Sequence, residues 1–417
     1  MGSEMCIRDR STVDRIDYSN DTVAAPAKGS LNTARAYFAA TGSSSFGYFG
    51  GGSGPLSSVD RIDYSNDTAT ASPKGPLSLA RQLMGASSAR ANGFVPIGPS
   101  VVSNAAAVAG SFNPTEFGYF VHSDVNSPYT ITVDRIDYTN DTATATAKGS
   151  LAFRTDESGS VGNSFFGYVV GGYRNTESRI SRIEYSNDTA TAEVKGSISA
   201  ARNDVYPVGN KNFGYFAGGN NTSNYVSRVS TVDRIDYSND TGTTSVRGPL
   251  SAAKYRGGAA GNENFGYICG GYIDGNALSV VDRIDYSNDT ATASPKGDLS
   301  IPRKRTAATG NANFGYVGGG QSEILGSNRS SIDRVDYAND TATAVEKGPL
   351  SSARQFLAAT GNASFGYFGG GYVSAVISTV DRVDYSNDTA TAITKGPLTS
   401  AKSQLSAVSA AENALPQ

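Results

Sequence analysis

The chain has 417 residues, a formal net charge of -3, a single histidine, two cysteines and no tryptophan. Carboxylates and cations balance copy by copy and leave no basic stripe for phosphate, so no nucleic-acid partner is expected. Cys6 and Cys269 make no disulfide framework, and no apolar run has the length of a membrane span or the shape of a signal-peptide core.

Met1 to Arg10 match nothing downstream and resemble the translated sequencing-adapter read-through found at the ends of some metagenomic reading frames; residues 1–10 are therefore expected to be a non-native leader. The chain then repeats itself. Val13-Asp14-Arg15-Ile16-Asp17-Tyr18-Ser19-Asn20-Asp21-Thr22 returns, slightly varied, from Val59, Val133, Ile180, Val232, Val281, Ile332 and Val380, at intervals of 46 to 52 residues apart from one of 74. Such a period suits one four-stranded propeller blade, whereas helical and leucine-rich repeats are shorter. The expectation is an all-β chain, a single closed β-propeller over residues 11–411 with a tail at 412–417.

The copy from Pro349 to Gly396 reads as a blade. Ala353 to Asn362 is a small-residue inner strand closed by a Gly-Asn turn, and Phe365 to Gly371 is a second strand with glycines where backbones approach closely. In the third strand, Val380, Arg382 and Asp384 share one face and Asp381, Val383 and Tyr385 the other. Charges on both faces of a strand between neighbouring blades predict an Asp–Arg ladder, within or between blades. Ser386 to Thr389 is turn chemistry, and Thr389 to Ile393 reads as the outer strand.

This pattern resembles the kelch-type β-propellers. The family's glycine pair corresponds to Gly171-Gly172, Gly218-Gly219, Gly270-Gly271, Gly319-Gly320 and Gly370-Gly371, and its arginine before the inner strand to Arg35, Arg81, Arg154, Arg202, Arg303 and Arg354. The chain departs from the family in having no fourth-strand Trp. The near-identical Asp-Arg-Ile-Asp-Tyr copies also resemble repeat proteins of marine phages and uncultured marine microbes.

Counting third strands gives eight blades, with seven as the alternative. Ser403 to Ala411 aligns with an inner strand and is expected to close the ring on the N-terminal blade. The interval of 74 predicts an insertion, or a degenerate half-blade, near residues 90–115.

Chemistry is sparse. The resemblance to the galactose-oxidase branch would require two histidines and a Tyr–Cys crosslink, which are not there; His122 reads as a polar loop residue, and no cofactor or metal is expected. Ser238 to Thr244 resembles a sialidase Asp-box without its Trp, a hairpin feature and not a catalytic one. Repeat carboxylates lack the spacing that wraps calcium and are read as structural. Variation concentrates between the second and third strands, which points to a protein or glycan ligand held by Tyr173, Arg174, Tyr225, Arg228, Tyr272 and Tyr372, with His122 and Tyr129 from the irregular copy. The expected function is a non-catalytic binding or structural scaffold, of adhesin or virion-associated type, with an extracellular or virion location; the alternative is a glycan-active enzyme using the central channel.

Overall fold

A computed structural model describes residues 11–15, 24–36, 38–42, 46–53, 55–80, 114–123, 131–155, 157–172, 177–221, 227–324 and 326–410. The chain is all-β. It divides into two compact units, Met1–Ala107 with Gln417, and Val108–Pro416.

In the first unit, Ala39–Gly42, Phe46–Gly50, Val59–Asp63 and Ser72–Lys74 form one antiparallel sheet in chain order. Leu31, Ile62 and Ala71 make its core, and beside them Arg35 and Asp60, both without solvent exposure, pair at 2.8 Å. The preceding copy reaches this sheet through Arg15 and Lys28, which hold Asp67 at 2.9 and 3.3 Å.

Among its described residues the second unit contains six four-stranded antiparallel sheets. Their first strands are Gly159–Gly162, Tyr206–Gly209, Gly258–Gly261, Ala307–Gly310, Ala358–Gly361 and Ser406–Ser409. Each lies against the next, and Ser406–Ser409 lies against Gly159–Gly162, so the succession returns on itself. Small side chains make this crowding affordable. The expectation that Ser403 to Ala411 pairs with the N-terminal copy is corrected. Ser406–Ser409 pairs instead with Phe117–Ser123, in the sheet completed by Ile131–Asp137 and Thr146–Ala147. Residues 90–113 of the expected insertion lie outside the described residues.

One set of contacts joins the sheets. Between the sheet of Val232 and the next, Arg234 and Tyr215 both reach Asp289, at 2.8 and 2.9 Å, Arg234 lies over the Phe213 ring at 4.2 Å, and Tyr215 stacks on Tyr286 at 4.9 Å. Arg135, Arg182, Arg283, Arg334 and Arg382 make the same bond to Asp188, Asp240, Asp340, Asp388 and Asp141. Close approach explains the glycine ending each outer strand. Gly248 donates its amide to the Asp289 carbonyl at 2.8 Å, and a Cβ there would stand 1.9 Å from the Ala291 oxygen.

A second pairing lies within the sheets, except that of Gly159–Gly162, where Ser181 stands at the aspartate position. Arg202 with Asp233 (2.6 Å), Arg303 with Asp333 (2.8 Å) and Arg354 with Asp381 (3.0 Å) are almost fully buried. Where the arginine column is broken, Lys254 and Lys402 take its place, on Asp282 and Asp134 at 3.3 and 2.6 Å. The third aspartate column caps the turn: Asp384 accepts from the Ser386 amide at 2.9 Å and its hydroxyl at 2.6 Å. All three columns of the repeat are thus structural. The outer strand is shorter than expected, Ile393–Lys395, because Thr389 and Ala390 belong to the turn.

Candidate functional site

The inner strand read from Ala353 is broken. It begins at Ala358, after Phe356 has turned through a left-handed conformation with φ of 58°. The equivalent residues Glu157, Asp204, Arg256, Arg305 and Gln404 do the same, with φ between 51° and 64°. Such values are uncommon outside glycine, and six at one repeat position mark a designed bend. Part of the compensation is a relay of backbone bonds from sheet to sheet: Asp204 N–H donates to Glu157 C=O at 2.8 Å, Phe356 to Arg305 at 3.0 Å, Gln404 to Phe356 at 2.9 Å and Glu157 to Gln404 at 3.3 Å, with Arg305 donating to Arg256 as well.

These six residues line one cavity of about 80 Å³, and beneath it the inner strands from Ser158 to Ala407 line a second of about 90 Å³. Arg256 is shared between Asp204 (3.2 Å) and Glu157 (3.5 Å), and Glu157 also accepts from Asn203 at 2.8 Å and Gln404 at 2.6 Å. Arg305 donates to the side-chain carbonyls of Gln321 and Gln355 at 3.0 and 2.8 Å and lies over Phe356 at 4.4 Å. Burial and the neighbouring Glu157 carboxylate push the Asp204 carboxyl well above its ordinary value, against the pull of Arg256. The cluster can offer charge-assisted hydrogen bonds to a polar group entering from the end where the inner strands begin.

Of the expected binding loops, those of Tyr272 and Tyr372 open at this same end. Tyr272 pairs with Tyr255 and Tyr372 with Gln355, immediately before the bend residues. Tyr272 meets the Tyr255 ring edge-on at 5.6 Å and carries the Lys304 ammonium 3.9 Å above its face. Its segment is a hairpin, with Asp274 and Gly275 at φ of 47° and 88° as a two-residue turn requires. Arg228 reaches across to Asp274, bringing it beside this hairpin. Tyr372 is 39% exposed and accepts from the Asn328 amide at 3.2 Å through its carbonyl.

His122 is corrected: it sits in the strand Phe117–Ser123 opposite Thr132, half-buried, because that strand runs longer than its counterparts. Tyr129, Tyr173, Arg174 and Tyr225 lie outside the described residues. The bend residues were missed in the sequence because each looks like an ordinary strand variant. The available signal was a column two residues after the inner Arg or Lys that holds Asp204, Arg256, Arg305, Phe356 and Gln404 in turn.

Among the described residues no group of three His, Cys, Asp or Glu side chains could hold a metal ion, and no helix is long and apolar enough to cross a membrane. Cys269 is free and buried, and burial pushes its thiol up to about 12, which makes it a poor nucleophile. No protein-family model matches the chain, and no curated protein matches it.

Proposed function

We propose that Val108–Pro416 is a six-bladed propeller of kelch-like design, a non-catalytic scaffold that takes a protein or glycan ligand on the end bearing the bend residues, as an adhesin or virion-associated part would. The propeller reading is supported by the closed succession of inner strands and the repeated Arg–Asp seam. The observation that carries the functional reading is the convergence at one end: side chains of several sheets, Arg228, Tyr272, Lys304 and Tyr372 among them, surround the polar cluster of Glu157, Asp204, Arg256 and Arg305. Rigid aromatic and arginine anchors around a shallow depression suit collected, modest contacts.

A second reading, a glycan-active enzyme on the channel, draws on the carboxylates Glu157 and Asp204 facing one cavity. Against it, both are committed to Arg256, and a cavity of about 80 Å³ accommodates a few water molecules. A glycan array and a host-cell binding assay, run beside a broad glycosidase screen, test the two. Arg228→Ala with Tyr272→Ala and Tyr372→Ala should abolish binding while leaving the thermal melt in place. Retained binding by the triple variant removes this face as the site, and turnover lost in Glu157→Gln would establish the enzyme instead.

A further inference from the structure

The inner strands of the sheets of Val232 and Val281 run from the bend residues Asp204 and Arg256 to turns that open at Asn210 and Asn262. At that far end, away from the cluster of Glu157 and Arg305, the two turns and the segment Asp285 to Ser287 line a cavity of about 420 Å³. This is the size of a small-molecule site, roughly 300–1,000 Å³. The lining combines amides and a hydroxyl with two half-buried rings, Phe265 and Tyr286.

The Asn210 side-chain oxygen accepts from the amides of Asn212 and Phe213, both at 3.0 Å, which turns its NH2 toward the neighbouring sheet, 3.5 Å from the Glu263 carbonyl. A bond that long is weak, so this donor is open to a better acceptor. Lys211 and Glu263 pair between the two turns at 3.4 Å, and Asp285 accepts from the Ser287 amide and hydroxyl at 2.9 and 2.7 Å. The lining thus holds two carboxylates and one ammonium, a balance that disfavours phosphate or uronate. A cation would find both carboxylates already engaged. Amide donors and acceptors beside aromatic carbon suit a neutral ligand dense in hydroxyls, since each hydroxyl both donates and accepts. None of these polar residues is required by the turn itself: other copies carry Ser164, Ala312 and Ala363 where Lys211 and Glu263 stand, Ser364 in the place of Asn264, and Ala338 in that of Ser287.

We propose that this cavity binds one neutral hexose residue, free or within a glycan, through the side-chain amides of Asn210, Asn212 and Asn264 and the Asp285–Ser287 pair. The site lies at the other end of the inner strands from the ligand face proposed above and does not depend on that reading.

Methyl glycosides of glucose, galactose, mannose and N-acetylglucosamine, titrated into the full chain and followed by backbone amide shifts, test it. At least one should give saturable shifts at Asn212, Asn264 and Ser287, with a Kd in the millimolar range or below. Asn264→Ser combined with Ser287→Ala installs residues that other copies carry at those places, so the thermal melt should stay in place while affinity falls at least tenfold. Arg228→Ala with Tyr272→Ala and Tyr372→Ala should leave this binding unchanged, which separates the cavity from the opposite end. The absence of a saturable shift with any of the four sugars overturns the proposal, as does undiminished affinity in the Asn264→Ser, Ser287→Ala variant, or sugar binding lost in the triple variant. Shifts produced by butylammonium and by no sugar would make the cavity a cation site and overturn it equally.

Discussion

Arg382 donates to Asp141 at 2.7 Å across 241 residues of chain, and this is the same bond that Arg234 makes to Asp289 at 2.8 Å between sequential sheets. The last sheet thus treats the first described sheet of its unit as its successor. Tyr367 and Lys395 join Arg382 on Asp141, at 2.9 and 3.1 Å. The seam is therefore as well bonded as any internal interface.

Arg234→Ala tests one such interface. The guanidinium is about one-fifth exposed, so its pair with Asp289 falls between an exposed bridge and a buried one. Truncation also strips the cover from Phe213 and leaves Asp289 in a mostly buried site. The expected loss is about 2 kcal/mol in denaturant melts. A change under about 0.5 kcal/mol would show the ladder to be a solvated surface feature.

The two kinds of aspartate respond to pH with opposite signs. Burial alone would raise Asp388, but hydrogen bonds from Tyr316 and Lys347 and the charge of Arg334 outweigh it, so its carboxyl lies below the ordinary value, and Asp141 behaves likewise. A lowered folded-state value adds stability above the unfolded value of 3.8, which is lost as pH falls through the folded value. Asp388→Asn should lower the melting temperature at pH 7 and reduce its fall between about pH 5 and 3.

Asp204 is raised, so the folded state favours its protonated form, and its charge costs stability progressively as pH climbs from the unfolded value through the folded one. Asp204→Asn keeps an acceptor for Arg256 without the buried charge. The variant should match the wild type near pH 4 and melt at or above it at pH 7. A variant less stable at pH 7 than the wild type would mean that the Arg256 pair outweighs the desolvation.

The all-β class, the turns and the existence of an Asp–Arg ladder were legible because the eight copies state them repeatedly. Closure was not. Ser403 to Ala411 aligns with an inner strand of every copy, so the alignment could not choose between the N-terminal copy and Phe117–Ser123; the choice rests on which second strand lacks its own inner partner. The bend at Phe356 was hidden by its neighbours, since Gln355-Phe356-Leu357 reads as strand until the positive φ is seen. Lys254 and Lys402 were missed because a shorter cation serves the same buried aspartate.

Gly396→Ala should be costly where Gly75→Ala is not. A Cβ at 396 would stand 1.7 Å from the Ala143 backbone oxygen, at the seam where Gly396 N–H also donates to the Asp141 carbonyl at 2.8 Å. Neither backbone can yield without breaking that bond. A loss of about 3 kcal/mol is expected, at the upper end for overpacking, against a change within about 0.5 kcal/mol for Gly75→Ala. Equal melts for the two variants would show that the seam opens readily.

Removal of Ser406 to Gln417 should open the second unit at one sheet. Val408, fully buried, is a member of the core cluster that holds Tyr119 and Val169, and the Ser406 hydroxyl bonds those of Ser158 and Ser160 at 2.8 and 2.7 Å. Without this strand Phe117–Ser123 becomes an exposed edge, a template for pairing between chains. The truncated protein should aggregate on mild heating, and amide exchange should accelerate at Ala407's cross-strand partner Phe120 and at Val121, opposite Ser406, before it does in the sheet of Val232. A synthetic peptide spanning Lys402 to Ala411, added in excess, should restore protection at those amides by supplying the missing strand. Unchanged exchange at Phe120 and Val121 in the truncated chain would mean that the closing strand is dispensable and that the Arg382–Asp141 seam alone holds the ends together.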